Sequence, residues 1–167
     1  LSGDEHLVEA FRKDEDIHSA TASRLFGVAP QDVTAEMRRN AKVVNFGVVY
    51  GMSDYGLEQA TDFTRGEASR FIEAYFAQYS GVRDWLRKTK EQARRDGYVT
   101  TLLGRRRYIA DINAGNRQVR EGAERMAINA PVQGTSADVI KVAMLRISDA
   151  MKDKKMRSTI LLQIHDE

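Results

Sequence analysis

Four side chains that could bind a nucleotide recur every four residues, in the order Arg38, Lys42, Phe46 and Tyr50. Four residues of α-helix turn the chain by about 400°, so these side chains would form a slanting row about 18 Å long. Two cations followed by two aromatic rings match the order of a nucleoside triphosphate, because cations bind phosphate oxygens and rings stack on bases. An amphipathic helix with both rings in the core and both cations in solvent has the same spacing, and spacing alone favours this second interpretation.

Positive charge is concentrated between Arg83 and Arg107. This stretch has nine Lys or Arg residues and three acidic residues, a local excess of six positive charges, although the whole chain has a net charge of only +2. Such a stripe can neutralise the phosphates of a nucleic acid. A solvated helix face would have the same composition, and charge alone does not separate the two interpretations.

The row requires a helix, and its flanking residues predict one. Thr34 is a suitable N-cap, Glu36 suits the positive helix N-terminus, and Gly51 can end the helix after Tyr50. Upstream, residues 14–26 favour another helix, which Gly27 would close. The row is therefore expected to lie on the second of two successive helices.

The fold class predicted for the chain is mostly α with a small antiparallel β component. Thr64 and Glu67 form a capping-box sequence, and the apolar residues after them recur at helical spacing and are assigned to the core: Ala68, Phe71, Ile72, Tyr75, Phe76 and Tyr79. Residues 82–93 favour a helix that ends at Gly97. Residues 98–109, interrupted at Gly104, favour a short hairpin.

The C-terminal third of the chain holds a long helical pattern and a strand pattern. Residues 120–151 are helical on both sides of Pro131, and proline disfavours helix at the preceding residue. We therefore expect a kink, or two helices that meet within residues 130–134. Residues 158–165 alternate between apolar and polar types and predict a strand, with Ile160, Leu162 and Ile164 on one face.

Composition limits the class of protein. The 167 residues include 42% hydrophobic and 30% charged residues, which is typical of a soluble globular chain, and a cytoplasmic location is expected. No apolar run approaches the roughly 20 residues that cross a bilayer. The absence of cysteine excludes disulfides and thiolate metal sites.

Five ordered motifs together resemble DNA polymerase family A, the bacterial DNA polymerase I type. The resemblance spans essentially the whole chain and includes the string from Arg38 to Gly51 that contains the row. The other motifs are Asp16-Ile17-His18 with Thr21-Ala22, Thr101 to Arg107, Glu124 to Thr135, and Ile164-His165-Asp166-Glu167. The fold that this resemblance implies is the fingers and part of the palm of a right-hand polymerase.

The resemblance implies a role for each residue of the row. Arg38, Lys42 and His18 would bind the phosphates of the incoming deoxynucleoside triphosphate, and Lys42 would also act in catalysis. Phe46 would lie beside the nucleotide sugar and base, and Tyr50 would occupy the pivot at the template base. Taken alone, His18 would more often be a partly buried helix histidine.

The resemblance also implies contacts with primer–template DNA. These would come from the basic hairpin, from the helix around Pro131 and from the last motif: Arg105, Arg106, Arg125, Asn129, Gln133 and His165. Asn129 and Gln133 could instead satisfy backbone groups near Pro131.

The candidate metal ligands lie in the last motif, Ile164 to Glu167. Two divalent ions about 3.5–4 Å apart require shared carboxylates, and hard oxygen ligands suit Mg²⁺. The resemblance implies that Asp166 binds both ions, with Glu167 nearby in the catalytic centre. The family's first catalytic aspartate lies upstream of the segment that Leu1 begins. We therefore expect the chain to be part of a larger polymerase, and to be inactive alone.

The resemblance divides the chain into a palm edge at residues 1–12, fingers at 13–118 and a partial palm at 119–167. The implied partners are primer–template DNA, deoxynucleoside triphosphates and the rest of the polymerase chain, in a monomer without membrane association. Two alternatives stay open. One is a single-subunit, phage-type RNA polymerase, which shares the Lys42 to Tyr50-Gly51 spacing. The other is a helical nucleic-acid-binding module without catalytic activity.

Overall fold

The computed structural model describes residues 1–164. Seven α-helices, a short 3₁₀ turn and one hairpin account for the regular structure of that part. In chain order the elements are α1 Glu5–Arg12, α2 Ile17–Phe26, the 3₁₀ turn Pro30–Asp32, α3 Ala35–Val49, α4 Asp54–Ala60, α5 Arg65–Gln78, α6 Ser80–Asp96, β1 Tyr98–Thr100, β2 Arg106–Tyr108 and α7 Arg117–Asp153. The predicted fold class, mostly α with a small antiparallel β component, is confirmed.

Local sequence signals fix most of the helix ends. The Thr34 hydroxyl accepts a hydrogen bond from the Met37 N–H at the start of α3. The capping box of Thr64 and Glu67 forms at the start of α5. Gly97 adopts the left-handed conformation, with φ 76°, where α6 ends. These boundaries agree with the prediction to within a residue or two.

The predicted start of α2 was wrong by three residues. Asp14 has a positive φ of 52° and lies outside the helix. Asp16 is the N-cap, because its side chain accepts a hydrogen bond from the His18 N–H. The helix therefore begins at Ile17.

Two hydrophobic clusters hold the helices together. The larger one combines α3, α5 and the start of α6, and it includes the predicted aromatic stripe, in which Ala68, Tyr75 and Tyr79 are buried and Phe71, Ile72 and Phe76 pack against them. The smaller one joins α6, the hairpin region and α7 through Ala93, Val99, Ile109, Ile112, Ala123 and Ala127. Since Ile128 of α7 packs in the larger cluster, α7 lies against both.

The hairpin connects α6 with α7. Its strands are antiparallel and pair Tyr98 with Tyr108 and Thr100 with Arg106. The Ile109 N–H also donates to the Gly97 carbonyl, which extends the pairing by one step. The turn of the hairpin lies against the middle of α7, where the Leu102 N–H donates to Thr135 Oγ1.

The expected break at Pro131 does not divide α7 into two helices, since the helix runs without interruption through the proline. Contacts on both sides of Pro131 explain its continuity. Before it, Ala127 and Ile128 are buried in the two clusters. After it, the Thr135 hydroxyl accepts a hydrogen bond from the Leu102 N–H, and Asp138 pairs with Arg105. These contacts stabilise both halves against the loss of one backbone hydrogen bond at proline.

The predicted strand at residues 158–165 is wrong for residues 158–164, which have no regular secondary structure. An isolated extended segment is not stable without a neighbouring strand, and the described residues offer none to it. Its apolar side chains are accordingly exposed, Leu161 by 90% and Leu162 by 71%. Within residues 1–164, no helix has both the length and the apolar character that crossing a bilayer requires.

Candidate nucleotide-binding face and adjoining grooves

The four side chains of the row lie on the outward face of α3. Arg38, Lys42, Phe46 and Tyr50 are all exposed, with 49% of Phe46 and 40% of Tyr50 accessible to solvent. The opposite face of α3 is buried and consists of Asn40, Ala41, Val44, Gly47 and Val48. The interpretation in which the two rings belong to the core is therefore wrong, since smaller side chains occupy the core face.

The two cations of the row differ in their surroundings. Arg38 Nε lies 2.6 Å from Asp16 Oδ2 in an ion pair whose side chains are both more than 40% exposed. The Arg38 hydrogen bond holds the pKa of Asp16 well below its usual range. Lys42 has no ion-pair partner among residues 1–164, so no acidic side chain of that part competes with a ligand for it.

His18 of α2 lies beside the row. Its ring centroid is 5.6 Å from that of Phe46, and its Nδ1 is 3.0 Å from Asn45 Nδ2. Burial lowers the pKa of His18, and the positive charges of Arg38 and Lys42 act in the same direction against the opposing charge of Asp16. The lowered pKa favours the neutral imidazole, which can donate one hydrogen bond from one ring nitrogen.

The Tyr50 end of the row adjoins a groove of about 550 Å³. Gly51, with φ 75°, approaches α7 so closely that a Cβ at this position would lie 3.2 Å from Arg125 Cγ. The groove is lined by residues after α3 and by α6 and α7, among them Ser53, Asp54, Arg65, Lys90, Glu124 and Arg125. The row and the predicted DNA contact Arg125 therefore meet at one place.

A second groove of about 490 Å³ lies between the hairpin and α7. It brings together four of the predicted DNA contacts, Arg105, Arg106, Asn129 and Gln133. The Oδ1 atom of Asn129 is buried and has no hydrogen-bond partner within residues 1–164. This observation gives no support to the alternative in which Asn129 satisfies a backbone group near Pro131.

Two arginines of the second groove, Arg105 and Arg106, are held by contacts within the chain. Arg105 Nε donates to Asp138 Oδ1 at 2.8 Å, and its Nη2 donates to the Gly134 carbonyl at 2.9 Å. The Arg106 guanidinium lies 4.7 Å from the ring centroid of Tyr98. Arg105 consequently fastens the hairpin to α7, whatever else it binds.

The basic stripe is largely paired. Lys90 and Arg94 both bind Glu124 of α7, at 3.2 and 2.6 Å, and Arg87 and Arg95 pair with acidic residues of α6 itself. Much of the local positive charge is therefore compensated within the fold. Four cations of the stripe have no ion pair within residues 1–164: Arg83, Lys88, Arg106 and Arg107.

Sequence reasoning missed Asp138, Glu124 and Asn45. Asp138 and Glu124 pair with cations 33 and 30 residues away, a separation that no local spacing rule detects. Asn45 lies within the string that carries the row, but its contact with His18 spans 27 residues.

The predicted residues His165, Asp166 and Glu167 lie outside the described residues. Within residues 1–164, no three His, Cys, Asp or Glu side chains come together as a metal site. The metal ligand Asp166 stays a prediction.

Comparison with known proteins gives consistent matches over this chain. The pattern of DNA polymerase family A matches residues 1–167. DNA polymerase I of Mycobacterium bovis is 53% identical over the whole chain, and that of Geobacillus stearothermophilus is 51% identical. The chain covers 18% and 19% of the lengths of these two proteins, so it corresponds to about a fifth of each.

A solved structure also matches. It is the POL domain of Pol1 from M. smegmatis in complex with DNA primer-template and dNTP, and it is 52% identical with a TM-score of 0.92. The match covers 99% of this chain and 29% of that one. These matches favour the DNA polymerase interpretation over both the phage-type RNA polymerase and the non-catalytic module.

Proposed function

Because the chain belongs to DNA polymerase family A, we propose that it forms the nucleotide-binding helix and part of the DNA-binding surface of a template-directed DNA polymerase. The reaction is deoxynucleotidyl transfer to a primer 3′-hydroxyl. The substrates and partners are deoxynucleoside triphosphates, primer–template DNA and the remainder of the polymerase chain. Residues 1–12 and 119–167 belong to the palm in this proposal, and residues 13–118 form the fingers.

The observation that carries the proposal is the outward row on α3. Its polarity matches a nucleotide, with Arg38 and Lys42 toward one end and Phe46 and Tyr50 toward the other. Phe46 and Tyr50 lie one helical turn apart on the same exposed face as the two cations. This face can bind a base and sugar against the rings and the triphosphate against the cations.

The two grooves support the DNA side of the proposal. The first groove begins where the row ends, beside Gly51 and Arg125, and suits the template base opposite the incoming nucleotide. The second groove contains Asn129, Gln133 and Arg106, and suits the primer–template duplex behind the new base pair. Amide side chains there can bind base edges, while arginine binds phosphate.

The proposed catalytic centre binds magnesium ions, but residues 1–164 do not themselves form the magnesium site. Carboxylates are the ligands that Mg²⁺ prefers, and residues 1–164 do not assemble a set of them. Asp166, with Glu167 nearby, would supply the share that this chain contributes. When bound, such ions neutralise charge on the triphosphate and activate the attacking hydroxyl.

Primer extension by the polymerase that carries this chain tests the proposed function. The purified enzyme is given a DNA primer–template with either deoxynucleoside or ribonucleoside triphosphates. Templated extension that requires deoxynucleotides is expected. Preferential use of ribonucleotides would support the RNA polymerase alternative, and DNA binding without extension by either set would support the non-catalytic module.

A further inference from the structure

A continuous series of hydrogen bonds reaches the nucleotide row from inside the protein. Arg24 Nη1 donates to Tyr79 Oη at 3.4 Å, and Tyr79 Oη lies 3.2 Å from Thr21 Oγ1. Thr21 Oγ1 donates to Asn45 Oδ1 at 3.2 Å, and Asn45 Nδ2 lies 3.0 Å from His18 Nδ1. We call these five side chains, Arg24, Tyr79, Thr21, Asn45 and His18, the relay.

The buried Tyr79 hydroxyl determines the direction of the bonds in the relay. The Arg24 guanidinium can only donate, so Thr21 Oγ1 is the one relay partner that can accept the Tyr79 proton. Thr21 has a single proton, which it donates to Asn45 Oδ1. The amide is thereby oriented with its NH₂ group toward the imidazole of His18.

This orientation leaves His18 one arrangement of its protons. The Asn45 NH₂ group has no lone pair to accept with, so His18 Nδ1 must be the acceptor and must be unprotonated. A neutral imidazole then has its proton on Nε2, while an imidazolium would set two donors against each other.

Burial makes the relay rigid. Thr21 and Tyr79 are each about 1% exposed, so their hydroxyls have little access to water as an alternative partner. The ring of Tyr79 is packed at 4.9 Å from that of Tyr75, and the ring of His18 at 5.6 Å from that of Phe46. The imidazole of His18 is thus held by the hydrogen bond at Nδ1 and by the packing of its ring against Phe46.

We propose that the relay fixes His18 as the neutral tautomer with its proton on Nε2, and that Asn45, Thr21 and Tyr79 are positioning residues for the nucleotide site. The ligand that Nε2–H meets, a triphosphate oxygen, rests on the proposed function. Three charged side chains face the imidazole, Asp16 from its own helix and Arg38 and Lys42 from α3. Arg38 and Lys42 already supply positive charge to this site. The neutral His18 therefore adds a directed hydrogen bond and no further charge.

Tyr79→Phe is the most selective variant, because it removes only the hydroxyl that links Arg24 to Thr21. Tyr75→Phe is its matched control: it makes the same change on a neighbouring buried ring, which has no hydrogen bond to the relay within the described residues. Asn45→Asp is a third variant, in which an acceptor replaces the donor that faces Nδ1.

The tautomer is read from the ¹⁵N shifts of the imidazole in the intact polymerase labelled with ¹⁵N-histidine, with His18→Gln used to assign the signal. The wild type and Tyr75→Phe are expected to have His18 protonated on Nε2. Tyr79→Phe should give a mixture of tautomers, and Asn45→Asp should move the proton to Nδ1 and raise the pKa of His18.

Kinetics supply the second readout. Loss of one well-aligned hydrogen bond should raise the KM for deoxynucleotide about threefold to tenfold in Tyr79→Phe, while kcat and the values for Tyr75→Phe stay near those of the wild type. A purely structural role would affect both tyrosines alike.

A wild-type His18 protonated on Nδ1, or an unchanged tautomer in Asn45→Asp, would overturn the relay even if Tyr79→Phe failed to fold. Equal KM values for Tyr79→Phe and Tyr75→Phe would exclude Tyr79 as a positioning residue. An Nε2–H tautomer in an enzyme that incorporates no nucleotide would leave the relay standing and refute the proposed function instead.

Discussion

The outward face of α3 and the hairpin side of α7 both carry basic residues that resemble DNA polymerase contacts, but they hold those residues differently. On α3, Lys42 has no ion-pair partner in the described residues, and Phe46 and Tyr50 are exposed. Beside the hairpin, Arg105 is fixed by Asp138 and the Gly134 carbonyl. Basic residues of similar type are thus kept available for a ligand on α3 and are used to join two elements beside the hairpin.

The largest effect is expected at Lys42. An ammonium that binds the triphosphate stabilises charge that builds up in the transition state, so Lys42→Ala should lower the incorporation rate by roughly a hundredfold or more. Single-turnover primer extension measures it, with DNA affinity nearly unchanged. Lys13→Ala is the control, because Lys13, directly after α1, forms an exposed ion pair with Glu9. A Lys42→Ala enzyme that lost DNA binding but kept its rate would assign Lys42 to the template.

Phe46 should determine how the enzyme treats chain-terminating 3′-deoxy nucleotides. A normal substrate has a 3′-hydroxyl that can donate a hydrogen bond to one of its own phosphate oxygens. A dideoxy analogue lacks this hydroxyl and leaves the phosphate oxygen without that hydrogen bond, at a cost of about 1–3 kcal/mol. That cost corresponds to roughly a tenfold to hundredfold bias against the analogue. Phe46→Tyr supplies a hydroxyl and should remove most of the bias.

Competition between normal and dideoxy nucleotides on one template measures this bias. Phe11→Tyr is the matched control, since Phe11 of α1 is likewise exposed, by 67%. Equal discrimination by the wild type and an active, folded Phe46→Tyr enzyme would remove Phe46 from the sugar site.

On the hairpin side, the expected effect is on stability. Asp138 has an 8% exposed side chain, and Asp138→Asn would weaken a charge-assisted hydrogen bond that fastens the hairpin. We expect a loss of about 1–2 kcal/mol in the free energy of unfolding, measured by denaturant titration. Asp149→Asn should change it by less than about 0.5 kcal/mol, because its pair with Lys152 is exposed. Equal losses in both variants would show that the Arg105 pair does not stabilise the fold.

The smallest effect concerns Arg107, which is exposed in the second groove and has no ion pair in the described part of the chain. If it binds a DNA phosphate, Arg107→Ala should weaken binding modestly and reduce the slope of log K against log salt concentration by about one. Stability should not change, in contrast to the Asp138 variant. A slope equal to that of Arg12→Ala, which removes an arginine from α1, would exclude Arg107 from the DNA contacts.

The sequence predicted the features that depend on nearby residues. Thr34, the Thr64–Glu67 capping box and Gly97 act within one helical turn, so their effects were readable directly. The row on α3 was also visible, but its exposure was not, because the choice of core face depends on helices far away in sequence. The continuity of α7 through Pro131 depends on contacts of Thr135 and Asp138 with the hairpin, 33 residues away.

The candidate site, too, was predictable only in part: its motif residues were, and the long-range contacts that orient them were not. Motif order identified Arg38, Lys42, His18, Phe46 and Tyr50, and the structure brings His18 beside Phe46. The hydrogen bonds that orient His18 were not predictable, because Tyr79 lies 58 residues from Thr21. The strand pattern of residues 158–164 was misleading, since alternation describes a possible strand and not the neighbour that it needs.

The central claim is that the outward row on α3 binds the incoming nucleotide with a fixed polarity. A crystal structure of the intact polymerase with a dideoxy-terminated primer, template and the next deoxynucleotide tests it most directly. We expect the triphosphate to bind against Arg38, Lys42 and His18, and the sugar and base to lie against Phe46 near Tyr50. A nucleotide that binds with its base toward Arg38, or that binds away from this face of α3, would contradict it.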